Sequence, residues 1–242
     1  MALPPRHFLR RVPGLKRSWE LFDAVIRKSV DLALDLHPKN LERAVQRRAM
    51  EQTVDYLEQK MGGIQSFAHR FALMRKSLDA LQVSGLFLEF GVFQGASINY
   101  LATQTHDTVY GFDSFEGLPE YWRDGVAQGH FKVPELPKVK ANVKLIKGWF
   151  NETLPAFLKQ ETRPVAFLHV DCDLYSSTKT VLELLEARIV KGTVIVFDDY
   201  FNYPGWREGE FKAFEEFCQK GARQYEFLGY CRYGEQVAVR MK

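Results

Sequence analysis

From residue 64 onward, short, mostly apolar runs alternate with stretches that are apolar only at helical spacing. The continuous runs predict strands at Leu86–Phe90, Thr108–Phe112, Asn142–Ile146, Val165–Val170 and Thr193–Phe197. Helix-period stretches lie between them at Ala96–Gln104, Glu152–Lys159 and Thr178–Val190, the last marked by Leu182, Leu184 and Leu185. Ahead of the first strand, Phe67, Phe71, Met74, Leu78 and Leu81 recur at helical spacing, and Gly85 ends that run. Strands without a polar face need cover on both sides, which predicts an α/β fold with a parallel sheet between helices. The pattern changes near the C-terminus. A helix over Glu208–Lys220 precedes two extended stretches, Gln224–Gly229 and Glu235–Arg240, separated by Tyr230–Gly234. This hairpin adds an antiparallel strand to a parallel sheet.

Residues 1–63 read as a separate helical extension before a domain spanning 64–242. Arg6, Arg10, Arg11, Lys16, Arg17, Arg27 and Lys28 outnumber the acids Glu20, Asp23 and Asp31, and Leu21, Phe22, Val25, Ile26, Val30, Leu32 and Leu34 are interleaved among them. The plain reading is a solvated helix packed on its own domain or on a dimer partner; the sharper one is peripheral contact with an anionic membrane surface. Composition changes the picture little. No apolar run approaches the roughly 20 residues of a spanning helix, and the basic N-terminus lacks the apolar core of a secretory signal. Cys172, Cys218 and Cys231 are an odd number without metal-ligand spacing, which points to a reducing, cytoplasmic compartment. A net charge of +3 names no partner, and no nucleic-acid partner is expected.

Three stretches carry candidate chemistry. In Leu86-Phe87-Leu88-Glu89-Phe90-Gly91-Val92-Phe93-Gln94-Gly95-Ala96-Ser97, a buried strand ends in an acid and a loop with two glycines opens a helix. Its spacing is E-x-G-x-x-x-G, not the G-x-G-x-x-G of a dinucleotide site, and suits a ligand with a positive amino group and no phosphate. The alternative is a tight strand-to-helix turn. Asp113, in Val109-Tyr110-Gly111-Phe112-Asp113-Ser114-Phe115, ends the next strand where an acid can accept hydrogen bonds from both hydroxyls of a ribose. The third strand ends in Lys147-Gly148-Trp149-Phe150, offering an aromatic face for an adenine or for the core. The strongest signal is His169-Val170-Asp171-Cys172-Asp173-Leu174-Tyr175-Ser176-Ser177-Thr178 with Phe197-Asp198-Asp199-Tyr200. Both loops leave the carboxyl edge of adjacent strands, so Asp171, Asp198 and Asp199 would converge, and carboxylates so crowded call for a cation between them. Asp173 reads as a cap for the following helix, and His169 as a packed strand histidine.

Together these stretches resemble the macrocin O-methyltransferase family over about residues 64–220, through LEFGVFQGASINYLA, VYGFDSFEGLPEYW, IKGWFNETLP, HVDCDLYSSTKTVLELL and GTVIVFDDYFNYPGWREGEFKAFEEF. The resemblance implies a Rossmann-like class I methyltransferase fold, with a seven-stranded, mostly parallel sheet and an antiparallel C-terminal strand. It implies S-adenosylmethionine as cofactor, with Glu89, Gly91, Gly95 and Ser97 at its methionine end. Asp113, Ser114 and Phe115 would lie at the ribose and Gly148 and Trp149 at the adenine. Asp171, Asp198 and Asp199 would hold magnesium or another divalent cation, with Asp171 also taking the proton. Residues 114–138 resemble the family's lid over the acceptor, and the N-terminal section implies a homo-oligomer.

The expected reaction is O-methylation of a hydroxyl on a sugar or another small-molecule or glycan acceptor. Catechol-type methylation and a non-catalytic S-adenosylmethionine-binding protein are the alternatives. A nicotinamide-dependent oxidoreductase is disfavoured by the missing dinucleotide fingerprint.

Overall fold

Eight strands form one sheet in the order β1-β7-β8-β6-β5-β2-β3-β4. They are β1 (Ser66–Phe67), β2 (Leu86–Phe90), β3 (Val109–Asp113), β4 (Val143–Lys147), β5 (Val165–Val170), β6 (Val194–Phe197), β7 (Tyr225–Cys231) and β8 (Val237–Met241). Only β8 runs antiparallel to its neighbours, as the hairpin pattern predicts. The eighth strand is β1, two residues paired with β7 where helical spacing had been read through Phe67. Between the strands lie α2 (Arg70–Leu78), α3 (Ala96–Gln104), α4 (Phe150–Gln160), α5 (Tyr175–Leu184) and α6 (Glu210–Lys220), following α1 (Leu41–Lys60). Every residue of β2, β5 and β6 is buried, so the sheet is covered on both faces at its centre. One apolar cluster contains Leu88, Phe90 and Phe197, and the other Phe87, Phe167 and Val196. This division by alternate residues is what a sheet between two helical layers requires.

This computed structural model describes residues 21–30, 33, 37 and 39–242. Contacts divide the chain into two compact units, Met1–Arg48 and Ala49–Lys242. In the first, residues 21–30 are helical, with Leu21, Phe22, Val25, Ile26 and Val30 exposed. Arg6, Arg10, Arg11, Lys16, Arg17, Leu32 and Leu34 lie outside the described residues. The second unit begins at Ala49, fifteen residues before the boundary the sequence suggests, because the end of α1 supplies Tyr56 to its core. The Tyr56 ring meets Trp206 and Phe211 edge-on, and Thr53 Oγ1 accepts a hydrogen bond from the Asn202 N–H. Among the described residues no helix is long and apolar enough to cross a membrane, and the three cysteines are buried and unpaired.

Candidate active site

Register brings the functional loops into line. Gly91 N donates to Phe112 O, Asp171 N to Phe90 O and Asp198 N to Val170 O, so the loops after β2, β5 and β6 leave the sheet side by side. They border a cavity of about 670 Å³ at the carboxyl edge, covered by Leu118, Pro119, Trp122 and Phe131 of the irregular segment after β3. Around it, Phe93, Phe115, Phe131 and Asp173 hold φ angles of 48°, 58°, 67° and 64°. Non-glycine residues seldom keep this conformation unless their surroundings hold it, and it clusters at functional loops.

The β2–β3 half is organised by its own backbone. Asp113 Oδ2 accepts hydrogen bonds from Val92 N and Phe93 N, both at 2.8 Å, and Oδ1 accepts one from Phe115 N at 2.6 Å. A carboxylate offers about four lone-pair positions, so one on Oδ1 is left for a ligand where the sequence suggested two ribose contacts. Gly91 has φ 90°, and a Cβ there would stand 1.7 Å from the Asp171 carbonyl oxygen. The glycine is therefore required by the approach of the β5 loop.

Gly91, Ser97, Asp113, Ser114 and Trp149 line the cavity, whereas Glu89, Gly95, Phe115 and Gly148 stand behind its wall. Glu89 is fully buried, with its oxygens bonded to Ser97 Oγ and His169 Nδ1, both at 3.0 Å. Phe115 belongs to the core cluster, and Gly148 faces Thr153.

The β5–β6 half is crowded with acid. Carboxylate oxygens of Asp171, Asp173 and Asp199 lie within 4.8 Å of one another, and so do ligand atoms of His169, Asp171 and Asp198. The three aspartates expected to converge thus form two overlapping groups that share Asp171. Burial, reinforced by Asp198, pushes Asp171 well above the usual carboxylate range; burial with Asp173 and Glu210 does the same to Asp199. Asp173 is raised to about 6, mainly by burial. For Asp198, burial is outweighed by His169 and Arg70, and its pKa falls. Burial likewise opposes a charge on His169, but Asp198 and Glu89 prevail and hold it well above the usual imidazole value.

Asp173 is not the helix cap its position suggests. Leu174 is the N-cap of α5, without a side-chain cap bond, and Asp173 turns its carboxyl into the acidic group.

Several functional neighbours come from distant segments. Arg70 Nη1 lies 3.2 Å from Asp198 Oδ2 and 3.7 Å from Asp171 Oδ2, while Gln236 Nε2 donates to Asp198 Oδ2 at 3.1 Å. Arg123 Nη1 contacts both Glu235 oxygens, its guanidinium lies 3.8 Å from the Trp122 ring centroid, and Nη2 is 4.0 Å from Asp199 Oδ1. Glu210, fully buried, accepts hydrogen bonds from Cys172 N at 3.4 Å and Asp199 N at 3.2 Å, tying the two acidic loops together. Burial and Asp173 raise its pKa to about 8. Arg70, Glu235 and Gln236 stand in no motif read from the sequence, whereas Glu210 lies within the GTVIVFDDYFNYPGWREGEFKAFEEF stretch and Arg123 within 114–138 without either being singled out there.

A sheet of this order, with a glycine loop after β2, an acid ending β3 and a cavity at its carboxyl edge, defines a class I methyltransferase. Calicheamicin methyltransferase CalS11 has the same fold, with a TM-score of 0.56 at 24% identity, covering 85% of this chain and 94% of that one. The O-methyltransferase NovP matches with a TM-score of 0.57 at 24% identity, covering 71% of this chain and 78% of that one.

The chain belongs to the macrocin-O-methyltransferase (TylF) family, whose model matches residues 33–220, and it is an S-adenosylmethionine-dependent O-methyltransferase. One relative is the 8-demethyl-8-(2,3-dimethoxy-alpha-L-rhamnosyl)-tetracenomycin-C 4'-O-methyltransferase of Streptomyces olivaceus. It is 32% identical over 213 residues, covering 70% of this chain and 80% of the relative. Another is demethyldecarbamoylnovobiocin O-methyltransferase of Streptomyces niveus, 29% identical over 161 residues, covering 54% of this chain and 59% of the relative.

Proposed function

We propose that this chain transfers the methyl group of S-adenosylmethionine to a hydroxyl of a sugar or sugar-containing acceptor, with a divalent cation, magnesium first, held by Asp171 and Asp199 next to Asp173 and Asp198. The observation that carries this reading is the carboxylate cluster beside the nucleoside cavity. Asp171 and Asp199 are raised in pKa by burial and by neighbouring carboxylates, a crowding that a bound cation would relieve. An all-oxygen donor set suits magnesium, calcium or manganese. The rhamnosyl group in the name of the S. olivaceus relative supports a sugar acceptor.

The chain's own residues divide the work. Asp113 accepts a ribose hydroxyl on Oδ1, Trp149 presents an indole face to the adenine, and Gly91, Ser97 and Ser114 border the rest of the cofactor. Glu89, Gly95, Phe115 and Gly148 hold that wall from behind. Methyl transfer is an in-line displacement, so the acceptor oxygen must be aligned opposite the carbon–sulfur bond at about 3 Å. A cation bound among the aspartates lowers the acceptor hydroxyl's pKa and fixes its direction. Asp171 receives the proton, with Asp173 beside it as a carboxylate of raised basicity. Leu118, Pro119 and Trp122 keep bulk water from the sulfonium.

The test is incubation with isotopically labelled methyl donor and a panel of nucleotide-linked sugars, glycosylated small molecules and catechols, with magnesium or with excess chelator. Label should enter a sugar-bearing acceptor only when the cation is present. Transfer to catechols alone, or undiminished transfer in chelator, overturns the reading.

A further inference from the structure

The helix over residues 21–30 exposes the side chains that a helix ordinarily buries. Leu21, Phe22, Val25, Ile26 and Val30 are 46–63% exposed, whereas Asp23 is half-buried. With about 3.6 residues to the turn, the five apolar residues share one half of the helix surface. Ser29, the one polar residue on that half, turns its Oγ back to donate to Val25 O at 2.9 Å, which removes its hydroxyl proton from the surface. The opposite half carries Asp23 and Arg27, with Arg27 Nε donating to Asp23 Oδ2 at 2.8 Å, and Lys28 stands at its edge. The helix is therefore divided lengthwise into an apolar half and a charged half.

Charge of one sign collects around it. Residues 1–31 hold seven Lys and Arg against three acids, while the whole chain is only +3, so the rest of the chain has a slight excess of acid. A second copy laid on the same face would bring a second basic segment against the first, and like charges set against each other oppose binding. An anionic surface with an apolar interior answers both halves at once. Ten helical residues reach about 15 Å, half of the roughly 30 Å of bilayer hydrocarbon. A segment of that length can lie in a membrane surface but cannot cross it.

We propose that the helix over 21–30 lies in the surface of an anionic lipid bilayer. Leu21, Phe22, Val25, Ile26 and Val30 enter the acyl boundary, and Lys28, Arg27 and the basic residues before them meet the head groups. Attachment of this kind adds apolar burial to electrostatic attraction and needs both. The inference does not depend on the acceptor, the cation or the methyl-transfer reaction.

Sedimentation of the full chain with vesicles tests it, using phosphatidylcholine alone or with about a third phosphatidylglycerol. The chain should bind the anionic vesicles at least about ten-fold more tightly than the neutral ones, and raised salt should release it. Val25→Asp with Ile26→Asp should weaken binding to anionic vesicles by about ten-fold or more, and so should Arg10→Glu with Arg17→Glu. Binding of S-adenosylhomocysteine reports whether each variant is folded; should both fail, the wild-type preference for anionic over neutral vesicles decides. No binding to either vesicle, equal binding to both, or undiminished binding by the folded Val25→Asp, Ile26→Asp chain overturns the proposal. A concentration-dependent dimer that the same double variant dissociates, without vesicle binding, overturns it in favour of a second copy on this face.

Discussion

At the ends of β2 and β3 a single carboxylate, Asp113, is held by three backbone N–H groups, whereas at the ends of β5 and β6 Asp171, Asp173, Asp198, Asp199 and Glu210 crowd against Arg70, Arg123 and His169. The first region has its shape fixed by backbone donors and close packing. The second is short of positive charge, and several of its acids are held above their ordinary pKa. Chemistry that needs a fixed nucleoside and an activated hydroxyl divides along that line. On the proposed reading, the cofactor side requires rigidity, and the acceptor side requires charge that a cation would complete.

Four measurements press on this contrast, in order of decreasing effect. Asp199→Asn should lower methyl transfer by about a thousand-fold or more while S-adenosylhomocysteine affinity, by calorimetry, changes by less than about three-fold. Comparable losses in both would mean that the two regions are not separable. Asp113→Ala strands three backbone donors as well as removing the ribose acceptor, and should weaken S-adenosylhomocysteine binding by about a hundred-fold.

Gly91→Ala touches the seam between the regions. Its methyl group would meet the Asp171 carbonyl, and the strained φ adds to the clash, so unfolding should become easier by about 3 kcal/mol, or roughly 10 °C in Tm. An unchanged Tm would show that the β5 loop gives way freely.

The smallest effect is electrostatic. Without divalent cations, Asp173, raised to about 6, and Glu210, raised to about 8, bind more protons in the folded chain than in the unfolded one at intermediate pH. Stability should therefore fall as pH rises from 5 to 8. The raised His169 acts in the same direction, while the lowered Asp198 matters only below that window. Tm should drop by several degrees, and divalent cation should restore more of it at pH 8 than at pH 5. A metal-free Tm that climbs toward pH 8 would contradict the excess of buried acid.

What the sequence revealed follows the range of the interactions involved. β2 and β5 were legible to the residue because they are apolar at every position but Glu89 and His169. β3, β4 and β6 begin one residue later than the pattern suggests. Their leading positions are polar, and Asn142 and Thr193 bond to neighbouring carbonyls instead. The α5 helix starts at Tyr175 rather than Thr178, immediately after the left-handed Asp173 and the Leu174 cap. That backbone turn is invisible in composition, and so was the inward aim of Asp173. β1 escaped notice because two residues of edge strand have no periodicity of their own. The acidic motif on two adjacent strand ends was legible because both halves are local. Arg70, 128 positions from Asp198, and Gln236, 38 positions away, act only through the fold.

The placement of β8 bears on how the molecule is made. This strand lies inside the sheet, between β6 and β7, and the turn before it delivers Glu235 and Gln236 to the acidic loops. A ribosome will have finished the β5 and β6 loops well before it synthesises that turn. Until the hairpin emerges, the nascent sheet has an open edge at β6 and Asp198 lacks its glutamine, so the charged centre matures only late in translation.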